Sequence, residues 1–366
     1  MSERSKRMSN IELLRIAAAC GVIVLHYNAA KIGKGFAYAP DGSVTQFFMA
    51  LTESAAICAV DLFVLISGYF MRNSMKRDLI KPVNLLMQLA VLETGFYLIK
   101  ELPKGKGFSA KTFAGYFTGM YWFVFVYIAL YLISPYINVI WQKLEDKGKR
   151  TLLIVMLGLF SVWPTLTEML EHFAGTHMRG ITTVGIDGAQ NGYTIVNFVL
   201  MYLIGCKLRD LDDKGKQFRT SRLALLLCLN TALITGWAYI EKKLSGSELW
   251  YTTGWYYQNP LVICEAVLFF LLFRSFKIRH NRVINRLAAA SFPVYLIHAN
   301  LLSWCRIKEY TAKGAAVTAL HLLICIVLIY LISFAVSTVY DFTVGRLPGL
   351  IARHWHRGRT YTVDPK

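Results

Sequence analysis

The sequence predicts an all-α polytopic membrane protein: a helix bundle of about ten transmembrane helices with both termini in the cytoplasm. Three observations lead to this prediction. Hydrophobic residues make up 55% of the 366 residues and the mean hydropathy is +0.43, which is too apolar for a soluble domain of this length. Apolar segments of membrane-spanning length recur along the whole chain. Lys and Arg cluster in every second connection between these segments.

Ten apolar segments divide the chain, and most of them reach the roughly 20 residues that a membrane-spanning helix needs. They cover, in order, residues 11–30, 47–71, 82–99, 117–141, 151–170, 193–207, 222–240, 259–276, 284–304 and 315–343. The sixth segment is short. We therefore predict one transmembrane domain over residues 1–343, followed by a basic cytoplasmic tail over residues 344–366.

The distribution of Lys and Arg orients these helices. With the N-terminus inside, the two ends and the inner connections hold 27 of the 40 Lys and Arg residues, and the outer connections hold 12. Cytoplasmic segments are enriched in these residues, so the bias predicts cytoplasmic termini and explains most of the net charge of +18. Nucleic acid is therefore not an expected partner, whereas membrane lipids or a phosphorylated ligand fit the basic inner rims.

The remaining composition excludes several kinds of site. The seven cysteines fall within or beside apolar segments without paired spacing, and we interpret them as small buried hydrophobes. No cleavable signal peptide is expected, because Glu12 and Arg15 interrupt the first apolar segment. His354 and His356 offer too few ligands for a metal, so no metal site is predicted.

The first segment carries two ionisable residues, Arg15 and His26, eleven positions apart. Eleven residues turn a helix about 20° past three full turns and advance it about 16 Å, so the two side chains share one face. Arg15 is expected near the inner membrane surface and His26 deep in the membrane. Ionisable residues within a span are costly, which makes both candidate functional residues. The alternatives are a snorkelling anchor for Arg15 and a hydrogen-bonded bundle histidine for His26.

The second segment carries Asp61 eleven residues before Arg72, which repeats the spacing from Arg15 to His26. Because the two helices run antiparallel, Asp61 and His26 are expected at the same depth. If the two side chains face each other, the carboxylate orients the imidazole as in an activated-base pair. Ser67-Gly68, later in the same segment, is interpreted as a close helix-packing contact.

Other polar groups fall inside the later segments. His298 has a depth similar to that of His26, and a structural hydrogen bond between helices is the alternative to a functional role. Glu93, Glu265 and His321 are further buried candidates. Two outer connections, residues 171–192 and 244–259, combine aromatic, amide and hydroxyl side chains, which suits a glycan or, alternatively, an interfacial aromatic belt.

Several stretches, taken together and in order, resemble the acyltransferase-3 family of integral membrane acyltransferases, in particular the bacterial surface-polysaccharide O-acyltransferases. The matching stretches are Arg15-x10-His26, Asp61-Leu-Phe63-Val-Leu-Ile-Ser67-Gly68-Tyr69, Tyr121-Trp122-Phe123 with Ser134-Pro135-Tyr136-Ile137-Asn138, and Tyr295-Leu296-Ile297-His298. The resemblance covers about residues 10–340.

This resemblance implies ten helices, a cytoplasmic acyl-CoA donor and a hydroxyl acceptor, usually a sugar, on the outer side. It also implies that Arg15 and His26 are required. The family shows basic residues after the second helix; Arg72 matches, and Lys76 or Arg77 substitutes for a second. Some members carry a fused extracytoplasmic hydrolase-like domain. None is expected here, so the chain completes the transfer itself or passes the acyl group to a partner protein.

We therefore predict a multi-pass O-acyltransferase of the bacterial plasma membrane that moves an acetyl group from acetyl-CoA to a cell-surface or lipid-linked glycan. His26 acts as general base, with a covalent acyl-histidine as the mechanistic alternative. The cations are expected to line one cytoplasmic rim and bind the phosphates of CoA. The predicted site residues are His26 and Asp61 for catalysis, Arg15, Arg72, Lys76 and Arg77 for the donor, and Trp122 and His298 for the substrate.

The alternative function is a proton-coupled transporter or flippase for a small solute or a lipid-linked sugar. Such carriers also need intramembrane Asp, Glu and His. Inverted repeats would favour a carrier, but the two halves of the sequence show no internal similarity. A membrane sensor is a third interpretation, for which the chain offers no signalling domain. Assembly as a homo-oligomer stays open.

Overall fold

The structure is a computed structural model that describes residues 7–29, 31–105, 107–117, 121–355 and 359–364, with the backbone alone for residues 351–354. His356 of the predicted tail lies outside the described residues. The helices are, in chain order, α1 (Ser9–Asn28), α2 (Gly35–Tyr38), α3 (Val44–Ala56), α4 (Ala59–Met71), α5 (Ile80–Glu101), α6 (Ala110–Gly115), α7 (Trp122–Lys143), α8 (Asp146–Leu157), α9 (Trp163–Ala174), α10 (Ile195–Asp213), α11 (Thr220–Ser245), α12 (Pro260–Ser275), α13 (Arg282–Ala288), α14 (Ser291–Leu302), α15 (Ile307–Thr311), α16 (Ala315–Phe342) and α17 (Leu347–His354).

The described part of the chain confirms the predicted all-α polytopic bundle. Among the described residues, eight helical stretches are long and apolar enough to cross a membrane: Ser9–Asn28, Val44–Met71, Ile80–Lys104, Trp122–Lys143, Asp146–Ala174, Thr220–Ser245, Thr253–Ser275 and Ala315–Phe342. The sixth and ninth predicted segments are also helical. The sixth is α10, whose last two turns are charged, and the ninth breaks at Ala289–Ala290 into α13 and α14. Ten spans therefore stay a prediction at these two positions.

Successive stretches of spanning length run in opposite directions between two ends of the bundle, which we call the inner and outer ends. At the inner end, the last turns of α4, α10 and α12 meet through ion pairs: Arg72 with Asp213 at 2.6 Å, and Arg274 with Asp212 at 2.7 Å. At the outer end, α9 and α11 meet where His172 Nε2 lies 2.9 Å from Ser245 Oγ. The connections rich in Lys and Arg fall at the inner end, as the sequence predicts.

Two glycines set the contact between α4 and α10. A Cβ atom on Gly68 would overlap the backbone oxygen of Tyr202, and a Cβ atom on Gly205 would overlap the backbone oxygen of Leu65. Each helix therefore presses its backbone against the other where a side chain is missing, as small residues allow in membrane bundles. The interpretation of Ser67-Gly68 as a packing contact is confirmed for Gly68.

The tail returns to the inner end of the bundle. Strand β1 (Lys76–Asp78) pairs antiparallel with strand β2 (Thr360–Thr362), with Arg77 opposite Tyr361. Arg359 donates to both carboxylate oxygens of Asp78, at 3.1 and 2.8 Å. This guanidinium holds the pKa of the Asp78 carboxyl below its ordinary value. The short sheet fixes the tail against the connection between α4 and α5.

Replacing Gly68 by alanine tests the helix contact. The added methyl group meets a backbone oxygen that cannot rotate away, so Gly68→Ala is expected to destabilise the protein by about 1–3 kcal/mol. The measurement is the midpoint of thermal unfolding in detergent. The matched control is Gly236→Ala in α11, where a Cβ atom meets nothing within 4 Å and helix propensity favours alanine by about 0.5–1 kcal/mol. Equal midpoints for the two variants would contradict the close contact.

Candidate active site

Two histidines meet in the interior of the bundle. His26 on α1 and His298 on α14 lie with their ring centroids 4.5 Å apart and their planes inclined by 64°. His298 is buried and His26 is half-buried. The two helices run side by side in the same direction, because Ser291 Oγ at the start of α14 donates to the carbonyl of Arg15 at 3.4 Å. The two histidines, which were predicted to lie at the same depth, are thus in direct contact.

Hydrogen bonds assign the tautomer of both rings. His26 Nδ1 lies 2.9 Å from the carbonyl oxygen of Val22, and His298 Nδ1 lies 2.7 Å from that of Tyr295. A carbonyl oxygen only accepts, so Nδ1 carries the proton in each ring. In the neutral form, Nε2 is then the basic nitrogen. The Nε2 atom of His298 is buried without a protein partner among the described residues, so no described side chain uses its lone pair.

The predicted pairing of Asp61 with His26 is wrong in this structure. Asp61 is fully buried, but its Oδ1 accepts from Asn197 Nδ2 of α10 at 3.1 Å. The reason is rotational: Asp61 lies seven residues, two helical turns, before Gly68, and so on the same face of α4. Since Gly68 packs on α10, Asp61 faces α10 too. The predicted orienting role toward His26 belongs instead to the carbonyl of Val22.

A cavity of about 280 Å³ leads from the inner end toward the histidines. Arg15 lines it on α1, and Val22 and Tyr295 line it farther in. These last two residues are the ones whose carbonyls hold Nδ1 of His26 and His298. Phe63 and Phe123 make its walls apolar. The cavity therefore extends from Arg15 to within one helical turn of His26 and His298, although neither histidine lines it.

The four predicted donor cations do not line one rim, which corrects the sequence interpretation. Arg15 lines the cavity and contacts Glu12 at 3.2 Å. Arg72 is held between Asp210 and Asp213 of α10. Lys76 lies at a separate polar pocket beside the tail.

Arg77 is buried, with 1% of its surface exposed, and its neighbours are neutral. Its guanidinium donates to the carbonyl of Tyr131 at 3.0 Å, to Ser134 Oγ at 2.6 Å and to the carbonyl of Ser74 at 2.9 Å. These bonds join β1 to α7. A charge enclosed in this way is not presented to a soluble donor, so its function here is to hold the inner connection in place.

Sequence reasoning missed a second and larger cationic cavity at the inner end. It has a volume of about 740 Å³ and shares Arg7 with the cavity that leads to the histidines. Its basic lining residues are Arg7, Lys216, Arg219, Arg274, Lys277 and His280. Asp212 offsets one charge by pairing with Arg274. The charge count contained the signal, because residues 207–222 and 274–286 are the most basic inner connections.

Trp122 lies at the outer side of the bundle in a group of aromatic rings. Its ring stacks on Tyr193 with centroids 4.5 Å apart and on Tyr257 at 6.1 Å. Tyr193 directly follows residues 171–192, and Tyr257 lies within residues 244–259. These are the two outer connections that combine aromatic, amide and hydroxyl side chains. The structure therefore brings these two connections together around Trp122.

The other buried polar candidates have partners of their own. Glu93 accepts from Asn300 at 3.2 Å, and Glu265 accepts from Asn230 at 2.6 Å and from Thr231. These contacts join α5 to α14 and α11 to α12, which is a structural use. His321 is different, because it lies beside Tyr27 and a thiol.

The multi-pass helical bundle brings His26 and His298 together one helical turn beyond an internal cavity that opens at its inner end. A family model described as an acyltransferase domain matches residues 8–338. The chain therefore belongs to the acyltransferase-3 family, as the sequence resemblance predicted, and is a membrane acyltransferase. Comparison with curated proteins and with solved structures returned no match.

The buried guanidinium of Arg77 gives a test of the corrected cation assignment. Arg77→Met leaves the acceptors at Ser74, Tyr131 and Ser134 unsatisfied, each at a cost of about 1–3 kcal/mol, so the thermal unfolding midpoint is expected to fall clearly. Lys76→Met, at the neighbouring exposed position, is expected to change stability by less than about 0.5 kcal/mol. If Arg77→Met keeps the parent midpoint but weakens acetyl-CoA binding, the predicted donor role is right after all.

Proposed function

We propose that the protein is a plasma-membrane O-acyltransferase that moves an acyl group, acetyl in the simplest case, from cytoplasmic acyl-CoA to a hydroxyl of an outer glycan. One observation carries the proposal: two histidines, each held at Nδ1 by a backbone carbonyl, lie one helical turn beyond a cavity that begins among cations. A carrier that moves a solute without chemistry would not need paired histidines beside a cavity that begins among cations.

The two inner cavities fit the two parts of the donor. The cations of the larger cavity would contact the nucleotide phosphates of CoA, where Arg and Lys donate charge-assisted hydrogen bonds. The apolar cavity beyond Arg7 and Arg15 would take the pantetheine arm, which is long and uncharged. The thioester would then reach the neighbourhood of Val22 and Tyr295, one helical turn from both histidines.

In the proposed reaction, His26 Nε2 takes the proton of the acceptor hydroxyl while the hydroxyl oxygen attacks the acyl carbonyl carbon. A carbon–oxygen bond forms and the carbon–sulfur bond of the thioester breaks. The thiolate of CoA leaves, and the proton on His26 returns to that sulfur. His298, edge-on against His26, would contact the reacting groups through its unpartnered Nε2. A covalent acyl-His26 intermediate is the alternative course.

The acceptor side of the proposal rests on the outer aromatic group around Trp122. Aromatic faces stack on the apolar faces of sugars, and Trp122, Tyr193 and Tyr257 lie together where an outer glycan would enter. Asp61 stays a candidate positioning residue, acting through Asn197 of α10 instead of through His26. We also propose that the protein lies in a bacterial plasma membrane. Its acceptor would be a glycan or a lipid-linked saccharide, and a partner acyl-transfer protein could take part in the transfer.

Removing the proposed base tests the chemistry. His26→Ala is expected to lower the release of CoA from acetyl-CoA by at least about 100-fold, the range of general-base catalysis. His298→Ala is also expected to lower it, because the second ring contacts the reacting groups. The measurement is CoA release by purified protein with radiolabelled acetyl-CoA, at unchanged thermal stability. Cys228→Ser, on the exposed surface of α11, is the control. Full activity of His26→Ala, or solute flux without CoA binding, would contradict the proposal.

Truncating the donor tests which cavity holds the nucleotide. Lys216→Ala combined with Lys277→Ala is expected to raise the KM for acetyl-CoA about tenfold while kcat stays near the parent value, because the lost contacts lie away from the reacting atoms. With acetyl-pantetheine, which has no nucleotide, the variant and the parent should behave alike. Lys31→Ala with Lys308→Ala, at the outer end, is the matched control. An equal loss with both donors would place the nucleotide elsewhere.

A further inference from the structure

Two cysteines that are distant in sequence meet at the outer end of the bundle. Cys305 follows the last turn of α14, and Cys325 lies within α16. The two thiols line the same cavity and are close enough to interact with each other. The Cys305 thiol donates to the carbonyl of Leu301 at 3.6 Å. Nothing in the proposed acyl transfer uses this pair.

A histidine and a tyrosine complete the cluster. His321 lies one helical turn before Cys325, with its Nε2 3.6 Å from the Cys325 sulfur. Its Nδ1 is 2.9 Å from the hydroxyl of Tyr27, the residue that follows His26. The ring of Tyr310 stacks on the imidazole at 4.1 Å with an inclination of 8°. The thiols are therefore positioned next to a group that can accept a proton.

Cys305 is partly exposed at the outer end of the bundle, whereas Cys325 is buried. Cys305, Cys325 and His321 line a cavity of about 420 Å³ between α14, α15 and α16. Its rim includes Leu320 and Ile324, whose side chains are exposed on the surface of α16. A reagent therefore needs to reach only Cys305 at the outer end, and its path does not cross the active site.

Cys305 also has the character of an attacking thiol. It lies in the connection after α14, outside the candidate membrane spans. The hydrogen bond from Cys325 lowers the pKa of the Cys305 thiol to about 7. A thiolate is the nucleophile in thiol–disulfide exchange, and the optimum attacking thiol has a pKa near the ambient pH.

We propose that Cys305 and Cys325 form a disulfide bond by exchange with an external disulfide. The Cys305 thiolate attacks a sulfur of the external disulfide RS–SR, forming a mixed disulfide and releasing one RS⁻. Cys325 then loses its proton to His321 and attacks the Cys305 sulfur, forming the Cys305–Cys325 bond and releasing the second RS⁻. The external disulfide is reduced to two thiols, and the two cysteines are oxidised by two electrons. Disulfides persist in oxidising compartments, and the Lys and Arg distribution predicts that this end faces outward.

The bond would fasten the helices that support the histidine pair. Cys305 lies seven residues after His298, and Cys325 lies on the helix whose His321 contacts Tyr27. A covalent link there ties the outer end of α14 to α16 and limits how far His298 can separate from His26. This constraint does not depend on the acyl acceptor and applies to any reaction at the histidine pair.

Peptide mapping tests the proposal directly. Trypsin separates the two cysteines, because Arg286, Arg306, Lys313 and Arg346 leave them in peptides 287–306 and 314–346. The full-length protein is incubated in detergent with oxidised glutathione, alkylated and digested. The expected product is the linked pair of these two peptides, lost on treatment with dithiothreitol. Cys305→Ser and Cys325→Ser should each abolish it, whereas Cys228→Ser and Cys264→Ser, at exposed positions, should leave it unchanged.

Thermal unfolding gives a second measurement that does not depend on the digestion. The oxidised protein should unfold at a higher temperature than the reduced protein, and dithiothreitol should remove the difference. In Cys325→Ser, oxidised glutathione should stop at a glutathione adduct on Cys305. Recovery of both peptides unlinked from the oxidised parent would overturn the proposal, and so would an adduct on Cys305 that persists while Cys325 stays free.

Discussion

The two histidines that meet between α1 and α14 satisfy Nδ1 with carbonyl groups of their own helices. This single interaction constrains several properties at once. It sets the tautomer, limits the rotation of each ring and leaves Nε2 as the nitrogen that can take a proton. It also ties the two rings to Val22 and Tyr295, the backbone positions that line the far end of the inner cavity. The geometry of the site is therefore built into two helical turns, and neighbouring helices only have to bring those turns together.

At the inner end, the cations divide into two groups according to what surrounds them. Arg72 and Arg274 are neutralised by the carboxylates at the end of α10, and Arg77 is enclosed by neutral acceptors. These residues join helices. Arg7 and Lys277 line an open cavity, and neither has an ion-pair partner within the described ranges. Cations without a carboxylate partner attract phosphate at a membrane surface. The cations that can bind a phosphorylated donor are therefore those that form no internal ion pair.

The sequence predicted the depth of a residue in the membrane better than the direction in which its side chain points around the helix axis. Hydropathy and the Lys and Arg bias locate each helix along the membrane normal, which is why His26 and His298 were expected at one depth and do meet. Partner choice depends on how each helix is rotated, and hydropathy does not report rotation. Asp61 shows what could have been used: it shares the face of Gly68, and a glycine face packs on a neighbouring helix. The contact of Cys305 with Cys325 had no such signal, because it depends on how α14, α15 and α16 pack.

The influence of α16 on the site is exerted through a few polar contacts. Much of its surface is exposed and aliphatic, including Leu320 and Leu323, as suits a helix that faces lipid. Lipid-facing contacts do not fix rotation, since lipid is as apolar as the side chains it meets. The hydroxyl of Tyr330 donates to the carbonyl of Leu287 at 3.1 Å, and His321 contacts Tyr27 at 2.9 Å. These two contacts hold α16 to α13 and α1. Because Tyr27 follows His26 directly, a change in the rotation of α16 is transmitted to the helical turn that carries His26.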